Sequence, residues 1–462
     1  MRRILKLHAW PVFALLAGTE ALFLIAVVYV GLMASYAGVG DFRHTVGNFA
    51  PESLVFAGTV LVSQYAFGLY RWEYSSKFSD IAARSIAAFA CGFALLSVVF
   101  YVFPSVGLWR NATAIAFPLG FAGLLATRVA FSHIVDQRIL KRRILVVGVG
   151  DHAARIESLE NAGKAYRFTC VAFVDISGEE RKVSPSRVIP MLNSYPDYIA
   201  KEAVDEIVIA TRERRGNLPL QSLMDCRLTG TRVIGCQAFF ERETGRVELD
   251  ALQPEWFVFS NGFPGGELQH VVKRVFDIAM SALMLVLLFP LLAVAAIAIR
   301  LEGKGPILFR QERIGFRGEP FVLLKFRSMR VDAERDGVPR WARNRDPRVT
   351  AVGSVMRATR IDELPQLFNI LKGEMSLVGP RPERPYFVER LSQIIPYYGE
   401  RHRVKPGLAG WAQLYYPYGE SEEDAKQKLQ FDLYYIKYFS ILRDLVIILQ
   451  TIRVVIWPNK SR

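Results

Sequence analysis

"ATRIDELPQLFNILKGEMSLVGPRP" spans residues 358–382 and sets two adjacent carboxylates, Asp362 and Glu363, against an apolar helical pattern. Leu364, Leu367, Phe368 and Leu371 fall at i, i+3, i+4 and i+7, the spacing of one buried helix face. Pro365 suits a first turn, so the spacing predicts a helix that begins near Leu364 and closes at Gly373. Asp362 and Glu363 then stand at its N-terminus, where the helix dipole favours negative charge. That position admits two readings. The pair can simply cap the helix. Alternatively, the same field keeps Asp362 ionised at neutral pH, as a carboxylate nucleophile requires, while Glu363 diverges to hold Mg²⁺. Downstream, Arg381 sits between Pro380 and Pro382, which fix the backbone on both sides of a guanidinium.

Upstream, residues 305–329 ("GPILFRQERIGFRGEPFVLLKFRSM") read as a hairpin of short strands around Gly315 and Gly318. Its cations are Arg310, Arg313, Arg317, Lys325 and Arg327. Alternating bases on strands suit pyrophosphate and lipid phosphate, because Arg grips phosphate oxygens in a bidentate fork. The alternative is a solvated, lipid-facing basic surface, the reading that fits Arg317.

Before the hairpin, residues 276–299 are apolar, with Lys273 and Arg274 on one side and Arg300 and Lys304 on the other. Pro290 lies in the middle and removes a helix hydrogen bond. A simple crossing would leave the charged chemistry beyond Arg300 outside the cell. The expectation is a re-entrant helix that dips into one leaflet and returns.

The first third carries four more apolar stretches, at 12–34, 54–69, 86–103 and 112–127, each near the length of about twenty residues that crosses a bilayer. Arg2, Arg3 and Lys6 precede the first, Arg71, Lys77 and Arg84 lie between the second and third, and Arg138, Lys141, Arg142 and Arg143 follow the fourth. The other two connections carry Arg43 and Arg110. The positive-inside rule therefore places the N-terminus and everything after Arg138 in the cytoplasm.

"RRILVVGVGDHAARI" follows: a buried strand at 144–147, then Gly148, Gly150 and Ala153 in G-x-G-x-x-A spacing before a helix. A second strand ends at Asp175, where a dinucleotide fold places its ribose-binding acid. With further strands at 204–210 and 231–235, residues 141–247 read as a small doubly wound α/β domain. Such glycines also serve strand–helix turns with no ligand, and no Tyr-x-x-x-Lys follows within the segment.

The chain's 462 residues suffice for two or three domains, and 51% of them are hydrophobic. A net charge of +14 on such a chain points to anionic lipid and phosphate-bearing substrates as readily as to nucleic acid. Cys91, Cys170, Cys226 and Cys236 form no CxxC pair, and the six histidines show no metal-ligand spacing. Zinc and a disulfide framework are not expected; reduced thiols in a cytoplasmic compartment are.

From Lys273 onward the motifs "KRVFDIAMSALMLVLLFPLLA", "GPILFRQERIG", "KFRSM", "RIDELPQLFNILKGEMSLVGPRP", "VKPGLAGWAQ" and "DLYYIKYFSILRDLVIILQT" appear in order. Together they resemble the bacterial sugar transferase family, the polyprenyl-phosphate glycosyl-1-phosphate transferases. Four spans followed by a Rossmann-like domain are similar to that family's large members, including the undecaprenyl-phosphate glucose- and galactose-phosphate transferases and the exopolysaccharide-type sugar transferases. "KPGLAGWAQ" has Leu-Ala where the family often has Ile-Thr.

The resemblance implies four regions: a membrane α-helical bundle (1–137), an α/β Rossmann-like domain (138–250), a linker (251–272) and a mixed α/β monotopic catalytic domain (273–462) with its re-entrant helix. It implies that Asp362 attacks the β-phosphorus of a UDP-sugar, releasing UMP. Undecaprenyl phosphate then takes the phosphosugar, the first step of exopolysaccharide or O-antigen assembly. Glu363 would hold Mg²⁺, Lys325, Arg327 and Arg381 would bind substrate phosphate, and Asp432 would be an active-site acid. The Rossmann-like domain would be non-catalytic and hold no cofactor. The implied setting is the bacterial inner membrane with the catalytic domain cytoplasmic. Membrane lipid is an implied partner and nucleic acid is not; a homodimer and polysaccharide assembly proteins are expected by analogy.

Two readings from other classes stand beside it: an oxidoreductase that modifies nucleotide sugars through the Rossmann-like domain, and a non-catalytic scaffold of a polysaccharide assembly complex. His402 is expected to be a packing residue. The tyrosine- and tryptophan-rich stretch 397–420 either shapes the substrate pocket or rests among lipid headgroups, and residues 433–457 read as one or two amphipathic helices on the membrane face.

Overall fold

The computed structural model describes residues 9–35, 50–70, 78–108, 110–134, 141–162, 168–176, 180–211, 218–252, 254–260, 262–263, 266–331, 333, 346–416 and 421–456. Arg2, Arg3, Lys6, Arg43, Arg71, Lys77, Arg138 and Trp457 lie outside them. The chain divides into two compact units, Met1–Phe239 and Phe240–Arg462.

The first unit opens with four apolar helices, α1 (Ala9–Ser35), α2 (Ala50–Ala66), α3 (Phe78–Val102) and α4 (Arg110–Ile134). Stretches within α1, α3 and α4 are long and apolar enough to cross a membrane, and α2 has 17 residues. Leu24, Val28 and Leu32 of α1, Phe56 and Val60 of α2, Phe89 of α3 and Ala116 and Leu124 of α4 form their shared core. Gly31 is needed where α1 meets α4, because a Cβ there would stand 2.6 Å from the Ala112 carbonyl oxygen. Arg128 donates to Glu20 at 3.0 Å, joining the same two helices through a buried ion pair rather than an unpaired charge.

The same unit carries a five-stranded, all-parallel sheet: β1 (Arg142–Val147), β2 (Phe168–Val174), β3 (Val188–Ile189), β4 (Glu206–Ile209) and β5 (Arg232–Gly235), in the order β3-β2-β1-β4-β5. Ile144 to Val147 are wholly buried, as expected of a strand covered on both faces. Helices α5 (Asp151–Asn161), α6 (Tyr195–Glu202) and α7 (Leu220–Leu228) lie between strands, and α8 (Cys236–Thr244) follows β5. At the β1–α5 turn Gly148 has φ +125, and a Cβ would sit 3.0 Å from the Thr211 amide nitrogen. The turn's glycine is therefore accounted for by packing alone. Asp175 pairs with Arg181 at 2.5 Å, and Lys182 donates its backbone N–H to Val149 O and its ammonium to Asp151.

The second unit begins within the stretch expected to end the α/β domain. Val247, Leu249 and Leu252, with Trp256 and Phe257 of α9 (Pro254–Phe259), join this unit's core, so the residues expected to form a linker are packed. Next comes α10 (Glu267–Glu302), one helical run through Pro290. Its Phe276, Met280, Met284 and Leu285 pack on the main core, and Leu292, Ala295 and Ile299 on a second cluster. Val286, Phe289 and Val294 are more than 60% exposed on the other side. The hairpin forms as expected: β6 (Leu308–Ile314) pairs antiparallel with β7 (Pro320–Phe326), and Arg317 (φ 58) and Gly318 (φ 83) make the turn.

After α11 (Ala351–Thr359) and α12 (Gln366–Lys372), β8 (Ser376–Val378) pairs in parallel with β9 (Gly407–Ala409). Helix α13 (Pro385–Ile394) lies between those strands, and α14 (Trp411–Tyr415), α15 (Glu422–Lys437) and α16 (Ile441–Ile456) follow them. Ser421 and Asp424 form a reciprocal capping box that starts α15. The core gathers Leu367, Ile370, Leu377, Leu391, Leu433 and Ile447.

Candidate active site

Arg360 ends α11 in the left-handed region, at φ 59, and turns the chain into a 3-10 turn over Ile361–Glu363. The expected helix therefore starts two residues late, at Gln366, with Pro365 as its N-cap. Gly373 closes α12 at φ +94, as the sequence implies. Arg274 of α10 completes that end by donating to the Ile370 and Leu371 carbonyls at 2.5 and 2.7 Å.

Asp362 and Glu363 are each only 7% exposed. Three cations converge on Glu363 Oε1: Arg381 at 2.5 Å, and Lys325 and Arg360 at 3.5 Å. Asp362 differs, because its buried Oδ1 accepts no hydrogen bond from the described residues. Burial raises both carboxyl pKa values, but for Glu363 the pull of Arg381 and Lys325 wins and holds it well below the carboxylate range. For Asp362 burial and the Glu363 charge together push the carboxyl up, against Lys325, Arg360 and Arg381. Asp362 lies within the 3-10 turn that leads into a helix of only seven residues, and desolvation is the largest influence on its carboxyl.

Lys325 lies on β7, and burial followed by the nearby arginines lowers its ammonium pKa while Glu363 raises it, with a net fall. Arg381 is held by its backbone: Gly379 N donates to Ala409 O, and Gly407 N donates to Pro380 O, both at 2.9 Å. The hairpin is pinned to the same loop, with Ile314 N donating to Glu383 O at 2.9 Å and Arg313 to Pro382 O at 3.1 Å.

Two expected site residues bond outside the Glu363 cluster, although Arg327 lines the same cleft as that cluster. The Arg327 guanidinium donates to the carbonyls of Ile299, Gly303 and Lys304 at 2.9–3.1 Å, so it caps the C-terminus of α10. Asp432 is 2% exposed on α15 and accepts from Arg401 at 2.9 Å. Sequence reasoning missed Arg360 and Arg401 as members of this network. Arg360 stands two residues before Asp362, a signal in plain view, whereas Arg401 reaches Arg381 and Asp432 from 20 and 31 residues away. At His402, burial and then Arg401 lower the imidazole pKa to about 4.

The network lines an open cleft of about 2210 Å³. One side presents Met280, Met284, Leu288 and Leu291 of α10, and another presents Asp362, Glu363, Lys325 and Arg381. The cleft thus offers both cations and apolar side chains of a membrane-capable helix. Among the described residues no group of three or more His, Cys, Asp and Glu side chains gathers as a metal site. A cation that shares its coordination with substrate phosphates needs only one or two carboxylates, which the pair can provide.

A cationic cleft around a buried Asp-Glu pair, walled by a membrane-capable helix, defines a membrane-associated transferase of phosphorylated groups. Residues 268–458 match the family model described as bacterial sugar transferase. The chain is 31% identical over 411 residues to a UDP-N-acetylgalactosamine-undecaprenyl-phosphate N-acetylgalactosaminephosphotransferase from Aeromonas hydrophila, covering 88% of this chain and 95% of that one. The chain belongs to the bacterial sugar transferase family. It is also 28% identical over 452 residues to a UDP-glucose:undecaprenyl-phosphate glucose-1-phosphate transferase from Xanthomonas campestris pv. campestris, covering 93% of each. An enzyme of the same description from Escherichia coli (strain K12) is 43% identical over 191 residues, 41% of each chain.

Proposed function

We propose that this chain transfers a sugar-1-phosphate from a UDP-sugar to undecaprenyl phosphate, producing UMP and the lipid diphosphate-linked sugar, at the start of polysaccharide assembly. The relatives' named activities support the reaction class. The observation that carries its centre is the contrast within the pair: three cations meet Glu363 at Oε1, while the buried Asp362 Oδ1 has no hydrogen-bond partner among the described residues.

In this reading Asp362 is the nucleophile. Its carboxylate oxygen forms a bond to the β-phosphorus as the bond from that phosphorus to the bridging oxygen breaks, and UMP leaves with the electron pair. An oxygen of the lipid phosphate then attacks the same phosphorus, and the aspartyl bond breaks. The low-dielectric setting that raises the Asp362 pKa also strips water from the carboxylate, so each neighbouring cation acts strongly on the developing charge. Lys325 and Arg381 hold phosphate oxygens, and Arg381 steadies the phosphate beside the nucleophile. Glu363 is the residue assigned to Mg²⁺, which when bound offsets the charge of the diphosphate.

The α10 helix is read as re-entrant. Its first turns bond to the second unit through Lys273 on Asp444 (2.6 Å) and Arg274 on α12. Its last turn bonds to the same unit through Arg327 and through Glu302, which accepts from Val352 N at 2.8 Å. Two ends anchored in one unit, with an exposed apolar face between them, suit a helix that enters and leaves by one leaflet. The cytoplasmic face of the inner membrane is the side where UDP-sugars are available. The parallel sheet is read as a Rossmann-like, non-catalytic domain, since Asp175 is already paired with Arg181.

The test is UMP release by membranes containing the full chain, screened over UDP-glucose, UDP-galactose and their N-acetylated forms, with and without undecaprenyl phosphate. The reading requires release from at least one of them and lipid-dependent turnover; activity that consumes NAD(P) without lipid would replace it.

A further inference from the structure

Asp432 is expected, by resemblance, to be an acid of the active site, yet it forms no part of the cleft wall. Arg401 and Lys428 line the cleft instead. The Arg401 guanidinium is 6% exposed and joins three pieces of chain. Its Nη2 donates to Asp432 Oδ2 on α15 and to the carbonyl of Arg381, both at 2.9 Å. Its Nη1 donates to the Tyr398 hydroxyl at 2.6 Å. From the backbone gripped in this way, the Arg381 side chain reaches Glu363 at 2.5 Å.

We propose that Asp432 is a positioning residue for the transfer reaction: it orients Arg401, whose fork fixes the Arg381 backbone and so the guanidinium that clamps Glu363. The inference rests on Asp362 and Glu363 being the reaction centre. A planar guanidinium can bridge a carboxylate, a carbonyl and a hydroxyl at once, and a buried one without its anion is an uncompensated charge. Removing Asp432 therefore acts at the centre through Arg401, not by withdrawing a proton donor from substrate.

Acidity offers a second handle. The charged and titratable groups facing Asp432 are Arg401 and Tyr398 from the turn at 398–403, Glu383 from the loop after Arg381, and Lys428 on its own helix. Burial pushes the Asp432 carboxyl up to about 6 against Arg401 and Lys428, with Glu383 adding to the rise. As pH falls through that value Asp432 becomes neutral, Arg401 loses its anionic partner, and turnover falls.

The experiment uses the full chain in membrane vesicles and measures UMP release from UDP-glucose or UDP-N-acetylgalactosamine, whichever the wild type turns over faster. Asp432→Asn and Arg401→Gln are each expected to lower kcat about 100-fold with little change in KM, the scale of a misplaced catalytic contact. The double variant should be no slower than Arg401→Gln alone; losses that multiply overturn the relay. The wild-type acidic limb near pH 6 should be absent from Asp432→Asn, and a limb that persists unchanged overturns it equally. Arg401→Lys retains the charge but not the fork, so it separates positioning from folding: a normal melting temperature with depressed kcat supports the relay, and normal kcat defeats it. Asp362→Asn in the same vesicles tests the underlying reading. If that variant turns over, the reaction centre is misassigned; if it is dead while the paired losses multiply, the relay alone fails.

Discussion

Arg381 donates to Glu363 Oε1 at 2.5 Å, whereas Oδ1 of the adjacent Asp362 accepts no hydrogen bond. Neighbours of equal burial thus differ in contact: three cations meet Glu363 Oε1 directly, whereas the same cations act on Asp362 without a hydrogen bond to its Oδ1 among the described residues. This asymmetry is what the proposed roles of nucleophile and charge-holding partner rest on.

Replacing Asp362 by Asn keeps the shape and removes the nucleophile. UMP release is expected to fall by about 10³-fold or more, and Glu363→Gln should impair it severely without matching that loss. Near-normal turnover in Asp362→Asn membranes would refute the nucleophile assignment.

Arg381→Lys preserves the charge but loses the planar fork. The expected loss is about 10²-fold in kcat, the scale of removing one preorganised charge-stabilising donor. Kinetics at saturating UDP-sugar will show it; a change confined to KM would mean that Arg381 aids only ground-state binding.

Lys325 should set an alkaline limb. Its pKa is lowered by burial, so it loses its proton below the ordinary lysine value, and turnover should fall as pH rises through that point. Lys325→Arg removes a group that can deprotonate in this range and should move the limb to higher pH. An identical limb in the variant would assign it to another residue.

Arg327 should behave as a helix cap. Arg327→Ala is expected to cost stability, about 1–2 kcal/mol from two part-buried carbonyls and one exposed carbonyl losing a charged donor, while KM for the UDP-sugar changes less than about twofold. Thermal unfolding and KM measured on the same preparation separate the two roles; a large rise in KM with unchanged stability would restore Arg327 to the phosphate site.

Much of this was legible in local patterns. Apolar runs marked α1–α4 and α10, Gly315 and Gly318 marked the hairpin turn, and the spacing of Leu364, Leu367, Phe368 and Leu371 marked α12. The acidic pair and the Arg381 loop were visible because adjacent residues and flanking prolines are local features. What stayed hidden is tertiary. Nothing near Arg327 reveals that three carbonyls at the end of α10 come to meet it. Asp432 looks like a free acid until Arg401 folds against it from 31 residues away. The burial that raises the Asp362 pKa is likewise tertiary and has no local signature in the sequence.

The most direct test of the central claim is to incubate the full chain with a UDP-sugar in the absence of undecaprenyl phosphate, quench in acid, and map the peptides by mass spectrometry. A hexose-phosphate or N-acetylhexosamine-phosphate adduct on Asp362, discharged on adding the lipid phosphate, is the predicted result. Stoichiometric UMP release with that peptide unmodified, or with the adduct on another residue, would contradict it.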